Sequence, residues 1–209
     1  SLRLNSGDKI TVADGRENKY LVELTALKEK FVEGEIKEKL DADAESELNI
    51  TLIQGLPKSK KMDLIVRKCT ELGIDRVIPM ETDHTVVKLN EKKAKKRRAR
   101  WQKIAKSAAK QSKRTKIPEL GNVNDLALMP WVAEKEQGLK DLIENDKNEG
   151  RDDIVIFIGP EGGFSPHEAA QAQEKGIEPV VLGPRTLRTE TAGLATLTML
   201  LYELGDLGG

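Results

Sequence analysis

Residues 154–168 constrain the fold more than any other stretch of the chain. Ile154-Val155-Ile156-Phe157-Ile158 runs straight into Gly159-Pro160-Glu161-Gly162-Gly163-Phe164, and then into Ser165-Pro166-His167-Glu168. Five apolar, mostly β-branched residues read as a buried strand. Ser165 suits a helix N-cap, Pro166 the first helical position, and Glu168 stands three residues after the cap, which makes a capping box. Strand, tight glycine loop and helix start follow one another with no spare residue. In an α/β domain such a junction lies at the carboxyl end of a strand, where ligands bind.

The flanking sequence repeats that rhythm. Ile50-Thr51-Leu52-Ile53 is a strand closed by Gly55 and Pro57. From Lys60 to Leu72, Met62, Ile65, Val66, Cys69 and Leu72 recur at helical spacing, and Gly73 suits the C-cap. Arg76-Val77-Ile78-Pro79-Met80 is the next strand, so a parallel βαβ unit is expected. Val123 to Trp131 holds a strand or a short helix, and Leu139 to Ile143 a helix. Pro166 to Lys175 reads as a helix stopped by Gly176. Pro179-Val180-Val181-Leu182 is a strand that ends at Gly183-Pro184, and a last helix spans about Glu190 to Leu204. From Ala192 to Tyr202 that helix is apolar on nearly every side, so it must be covered, in part at a subunit interface.

The first forty residues behave differently. Lys9–Val12, Lys19–Leu24 and Phe31–Ile36 are short strand candidates, the first ending at Asp14-Gly15, a strong turn signal. They predict a small barrel or a fragment of one over residues 1–46. The acidic run 41–47 is read as the linker to a second domain over residues 47–209. The opening Ser1-Leu2-Arg3 reads as a start inside the natural protein.

The formal net charge is zero, with 35 basic and 35 acidic residues, but the charge is unevenly placed. Residues 91–116 hold 13 basic residues and one acidic one, so the remainder is net acidic. The spacing of Trp101, Ile104, Ala105, Ala108 and Ala109 predicts one long helix ended by Pro118, with cations on its other faces. Such a helix repels itself unless a polyanion lies against it. A phosphate backbone fits best, and a membrane surface is the lesser alternative because the apolar stripe is mostly alanine. The single cysteine, Cys69, fits a reducing cytoplasm. The longest apolar run is too short to span a bilayer, and no signal peptide is visible.

Several familiar chemistries are excluded. No P-loop ending and no Gly-x-Gly-x-x-Gly is present, so neither a nucleotide-triphosphate cradle nor a dinucleotide fold is supported. Ser165 is not in Gly-x-Ser-x-Gly, and its capping role accounts for it. His84 and His167 stand alone, and with one Cys they offer no metal site. What remains is two glycine- and proline-rich loops at successive strand ends, 159–163 and 183–189, able to bring backbone groups close to one ligand.

These two loops carry a resemblance. Gly159-Pro160-Glu161-Gly162-Gly163-Phe164-Ser165, followed by Leu182-Gly183-Pro184-Arg185-Thr186-Leu187-Arg188-Thr189-Glu190-Thr191-Ala192, resembles the RsmE-type family of 16S ribosomal RNA uracil-N3 methyltransferases, which belong to the SPOUT class. The similarity extends through Lys68-Cys69-Thr70-Glu71-Leu72-Gly73-Ile74 and Ala109-Lys110-Gln111-Ser112-Lys113-Arg114. It implies an α/β fold: a SPOUT-type parallel sheet with a C-terminal trefoil knot, preceded by a PUA-like β-barrel that here lacks its first strands. A knot is never expected from periodicity. The resemblance further implies a homodimer that binds S-adenosyl-L-methionine (SAM) at Ile158, Gly159, Pro160, Glu161, Gly162, Gly163, Leu182, Gly183, Leu187, Arg188, Thr191 and Ala192. Arg188 and Glu190 are the catalytic candidates. Arg188 would stabilise the uracil anion at O2 or O4, unless it is spent on Glu161 or Glu190. Lys95, Lys96, Arg97, Arg98, Lys110, Gln111, Ser112 and Arg114 would meet RNA of the small ribosomal subunit. No metal and no membrane are implied. One departure stands out: at Asp83-His84-Thr85 the family often has Glu-Arg-Ser, so His84 replaces an expected arginine. A SPOUT enzyme with another RNA target and a non-enzymatic ribosome-assembly factor are the rival readings.

Overall fold

The computed structural model describes residues 4–41, 45–120, 127–130, 138–146 and 153–208. The chain begins with three antiparallel strands, β1 (Lys9–Ala13), β2 (Lys19–Leu27) and β3 (Val32–Leu40), paired in that order. The β1–β2 turn is closed by Asp14, whose Oδ1 accepts from Arg16 N at 2.7 Å, with Gly15 at φ +80°. Only Leu24 of these strands is buried. All three expected strands are present.

From Asn49 the elements alternate: β4 (Asn49–Gly55), α1 (Lys61–Leu72), β5 (Arg76–Met80), α2 (Glu91–Gln111), β6 (Ala127–Pro130), α3 (Leu139–Asp146), β7 (Asp153–Ile158), α4 (Pro166–Glu174), β8 (Glu178–Val180) and α5 (Thr189–Glu203). Their strands form one sheet in the order β5-β4-β7-β6-β8, with every pairing parallel. The two central strands are buried apolar runs, as parallel sheets require. Helices α1 and α5 pack together over them, with Ile50, Leu52, Ile65, Val66, Ile156, Leu197, Leu200 and Leu201 in the core. Burying one such side chain contributes roughly 1.5–3 kcal/mol. The core is mostly aliphatic, with Trp101 and Phe164 as its aromatic members among the described residues.

Two local expectations need correction. The basic helix stops at Gln111, not at Pro118. The Ser112 hydroxyl donates to Ala108 O at 2.9 Å, Lys113 adopts φ 62°, and the chain turns inward at Arg114. Residues 41–47 are more than a linker, because Glu45 is tied into the second sheet domain through Arg114. Helix α5 is covered on one side within the chain: Gly193, Thr196, Leu197, Leu200 and Leu201 are buried, whereas Tyr202 is 64% exposed. The expected strand or helix over 123–131 is a strand at Ala127–Pro130, its other residues lying outside the described ones, as do Ser1–Arg3 and residues 42–44 of the acidic run. Among the described residues, no helix is long and apolar enough to cross a membrane.

Candidate active site at the strand ends

The loop after β7 is shaped by its glycines. A Cβ on Gly159 would lie 3.0 Å from the Gly163 backbone, so the loop folds back on itself. Gly163 takes φ +67°. Gly55, at the end of β4, admits Pro160, because a Cβ there would meet the proline ring and nitrogen at 2.6 Å. The loop ends where α4 begins. The Ser165 hydroxyl accepts from Glu168 N at 3.2 Å, and Glu168 Oε2 accepts from Ser165 N at 2.8 Å, the expected capping box.

The second loop follows β8, with Gly183 at φ +122°. It ends at Arg188, whose carbonyl accepts from the N–H groups of Thr191 and Ala192 at 2.8 Å and starts α5. A buried relay fastens this helix start to both neighbouring strands. Gln54 Nε2 donates to Thr189 Oγ1 at 2.9 Å, and Thr189 Oγ1 donates to the Gly159 carbonyl at 2.6 Å. Gln54 is fully buried. The relay therefore sets the spacing between the two loops.

Between them lies a cavity of about 440 Å³. Ten residues expected at a ligand line it: Ile158, Gly159, Pro160, Glu161, Gly163, Leu182, Gly183, Leu187, Arg188 and Ala192. Three do not. Gly162 turns to His84, Thr191 is exposed on α5, and Glu190 sits behind the wall against Lys61. Lys61, Phe164, Arg185 and Thr186 line the cavity without having been singled out in the sequence. Lys61 opens α1, far away along the chain, and no local pattern marks it as part of this site.

Lys61 determines the electrostatics. Its Nζ lies 3.0 Å from Glu161 Oε1 and 3.0 Å from Glu190 Oε2, so one cation joins both loops to α1. The two carboxylates hold the Lys61 ammonium above its ordinary range. For Glu161, partial burial works upward, but Lys61, its own N–H and Lys58 N outweigh it and hold the carboxyl low. Glu190 behaves alike: burial works upward, and its own N–H and Lys61 prevail. Both stay ionised and are correspondingly poor proton acceptors. Arg188 is exposed and makes no direct ion pair among the described residues, although its charge helps to hold the Glu190 carboxyl low.

A strap from the β5–α2 connection holds the first loop from outside. Ser165 Oγ donates to Asp83 Oδ2 at 2.7 Å, Asp83 N donates to Glu168 Oε1 at 2.9 Å, and His84 Nδ1 lies 2.9 Å from the Gly162 carbonyl. On α2, Lys95, Lys96, Arg98, Lys110 and Gln111 are exposed, and Arg97 and Ser112 half-buried. Arg114 does not belong with them. Its side chain is 3% exposed and donates to Glu45 Oε2 at 2.7 Å and to the Thr70 and Ile74 carbonyls. With its guanidinium consumed inside, the expected RNA contact at Arg114 is withdrawn.

A parallel five-stranded sheet with two glycine loops around one strand-end cavity, preceded by an antiparallel sheet, is the architecture of the SPOUT class of RNA methyltransferases. Residues 44–201 match the RNA methyltransferase domain family, and residues 1–37 match the RNA methyltransferase PUA domain. The ribosomal RNA small subunit methyltransferase E of Bacillus subtilis is 35% identical, over 100% of this chain and 87% of its own length. That of Aquifex aeolicus is 31% identical over 87% of this chain and 80% of its own. The crystal structure of the Neisseria gonorrhoeae enzyme of that name, bound to S-adenosyl methionine, superposes with a TM-score of 0.82 at 33% identity, over 96% of this chain and 85% of its own. The chain belongs to the ribosomal RNA small subunit methyltransferase E family.

Proposed function

We propose that the protein transfers a methyl group from SAM to N3 of a specific uridine in 16S ribosomal RNA. The observation that carries this reading is the cavity between the two glycine loops, with an exposed arginine, Arg188, on its wall. The residues fit the co-substrate: glycine backbone at 159, 163 and 183 leaves room for close approach, and Ile158, Leu182, Leu187 and Ala192 supply apolar contact. SAM supplies an electrophilic methyl on a sulfonium. The chain's part is to orient the uracil, remove the N3 proton and stabilise the charge that develops on the ring. Arg188 stabilises that charge at O2 or O4. Glu190, a catalytic candidate in the sequence, is better read as an anchor, because Lys61 holds it as a carboxylate.

The exposed cations of α2 form the RNA surface, with the antiparallel sheet adding to it. The uncovered side of α5 suits a second copy of the chain, and the trefoil knot and a cytoplasmic location belong to the same reading. The test is incubation with labelled SAM and small ribosomal subunits lacking the modification, followed by mapping of the labelled nucleotide. The expected product is 3-methyluridine at one position. Label on a ribose or another base, or none at all, overturns the proposal.

A further inference from the structure

We infer that the RNA strand carrying the target uridine reaches the cavity across the turn between β4 and α1, with its phosphates on Lys58, Lys60 and Arg185. This inference rests on the reading under Proposed function and supplies the route between its two parts, the cations of α2 and the cavity. N3 of uracil lies on the base-pairing edge, so the base must be unpaired when it is methylated. Such a base enters the cavity from a single strand, and the phosphates on either side of it stay at the mouth.

The mouth is equipped to receive them. The turn is held by its backbone and apolar residues, which leaves its lysines free. Leu56 and Pro57 are buried, Leu56 N donates to Met80 O at 2.9 Å, and Lys58 N donates to Glu161 Oε1 at 3.1 Å. Glu161 lines the cavity, so this bond sets the turn at the cavity's edge. Lys58 and Lys60 are exposed, and neither makes an ion pair among the described residues. Lys61, next in the chain, lines the cavity but is spent on Glu161 and Glu190. On the second glycine loop, Arg185 also lines the cavity, is exposed, and makes no ion pair among the described residues. Because the two glutamates share Lys61, the charges of Lys58, Lys60 and Arg185 stand uncompensated around one opening. A phosphate backbone is the complementary partner.

The same turn leads back to the basic helix. Lys60 immediately precedes α1, and Asp63 lies in its first turn. Asp63 accepts from the Arg100 guanidinium and, at 3.2 Å, from Trp101 Nε1. The middle of α2 therefore lies against the start of α1, one helical turn from Lys60. A strand held on α2 meets Lys60, then Lys58, then Arg185 as its base enters the cavity.

The variants are K58Q/K60Q and R185Q, with K175Q as a control at the far end of α4, where Lys175 is exposed. Glutamine at 58 keeps the backbone bond to Glu161, so the turn stays in place. Each protein is titrated at several salt concentrations with an RNA fragment that the wild type methylates, and SAM affinity is measured without RNA by calorimetry. R185Q should flatten the log–log salt slope by about 0.7, the value for one phosphate contact on a single strand, and K58Q/K60Q by about 1.4. KM for RNA should rise about tenfold in each, with SAM affinity within a few-fold and the K175Q slope that of the wild type. Slopes for K58Q/K60Q and R185Q that match K175Q overturn the route. A loss of SAM affinity in R185Q at an unchanged slope overturns the placement of a phosphate on Arg185. A wild type that methylates an atom other than N3 overturns the reading under Proposed function instead, and the slopes on its own substrate still decide the route.

Discussion

At the scale of single residues, the site separates groups that hold from groups that act. Lys61, Glu161 and Glu190 neutralise one another across three elements, and Gln54 and Thr189 fix the distance between the loops. Arg188 and Arg185 also line the cavity, and neither makes a direct ion pair among the described residues. Arg188→Ala is therefore expected to keep SAM affinity, measured by calorimetry, within a few-fold while removing most methyl transfer; unchanged turnover would show that the arginine does not touch the developing charge. Gly159, Gly163 and Gly183 were legible in the sequence because each stands in a loop whose composition has a conformational cause, whereas Arg188 was singled out only through the family resemblance. Lys61 and Gln54 were not legible. One is an ordinary helix-start lysine and the other a polar residue at a strand end, and both acquire a role only when remote segments meet them. His84 was legible as a departure from the family pattern, but its bond to Gly162 links residues 78 positions apart.

At the scale of elements, sequence reading succeeded where the signal is local. The capping box of α4 and the left-handed Gly73 after α1 are both in place. The apolar runs became the central strands, since a parallel sheet buries both faces. The end of α2 was missed because its cause is tertiary. Nothing in Ser112-Lys113-Arg114 forbids another turn of helix; the pull comes from Glu45 and the Thr70 and Ile74 carbonyls. That early stop leaves the cations from Lys92 to Lys110 on one helix, while Lys116 joins the junction between the two sheets. Asn90 caps the helix by accepting from Lys93 N at 3.0 Å, and Trp101 Nε1 fixes it to Asp63 of α1 at 3.2 Å. Replacing Lys95, Lys96, Arg97 and Arg98 together with Ala should weaken RNA binding and flatten the log–log salt dependence by about 0.7–0.9 for each phosphate left without its cation. Titration at several salt concentrations measures the slope, and an unchanged slope would remove α2 from the RNA surface.

At the scale of the whole molecule, the question is what joins the antiparallel sheet to the parallel one. Glu45 stands in the acidic run between them, and its carboxylate is a node. Oε2 accepts from Arg114 Nε and NH2 at 3.0 and 2.7 Å, and Oε1 from the N–H groups of Thr115 and Lys116 at 2.6 and 2.8 Å. Beyond it, Lys116 pairs with Asp75 at 2.8 Å at the sheet edge and with Glu17 at 2.7 Å in the β1–β2 turn. The junction thus joins this chain of charges to backbone hydrogen bonds, Glu17 N to Thr115 O and Ile117 N to Gly15 O, and to the Ile117 side chain against Gly15, and the charged part of its strength depends on protonation. Burial works to raise the Glu45 carboxyl, but the Arg114 and backbone donors prevail and hold it below its ordinary value. A carboxylate lowered by folding contributes stability that is fully present above its unfolded value and lost as pH falls through its folded one. The junction should therefore hold near neutrality and loosen in acid. Arg114→Met leaves the Glu45 carboxylate buried beside no cation, at a cost of roughly 3–5 kcal/mol. Its melting temperature at pH 7 should drop by several degrees, and the gap from wild type should narrow as the buffer is taken down through the carboxylate range. A gap that stays constant with pH would show that Arg114 acts through packing and its two carbonyl bonds, and that the charge on Glu45 does not hold the two sheets together.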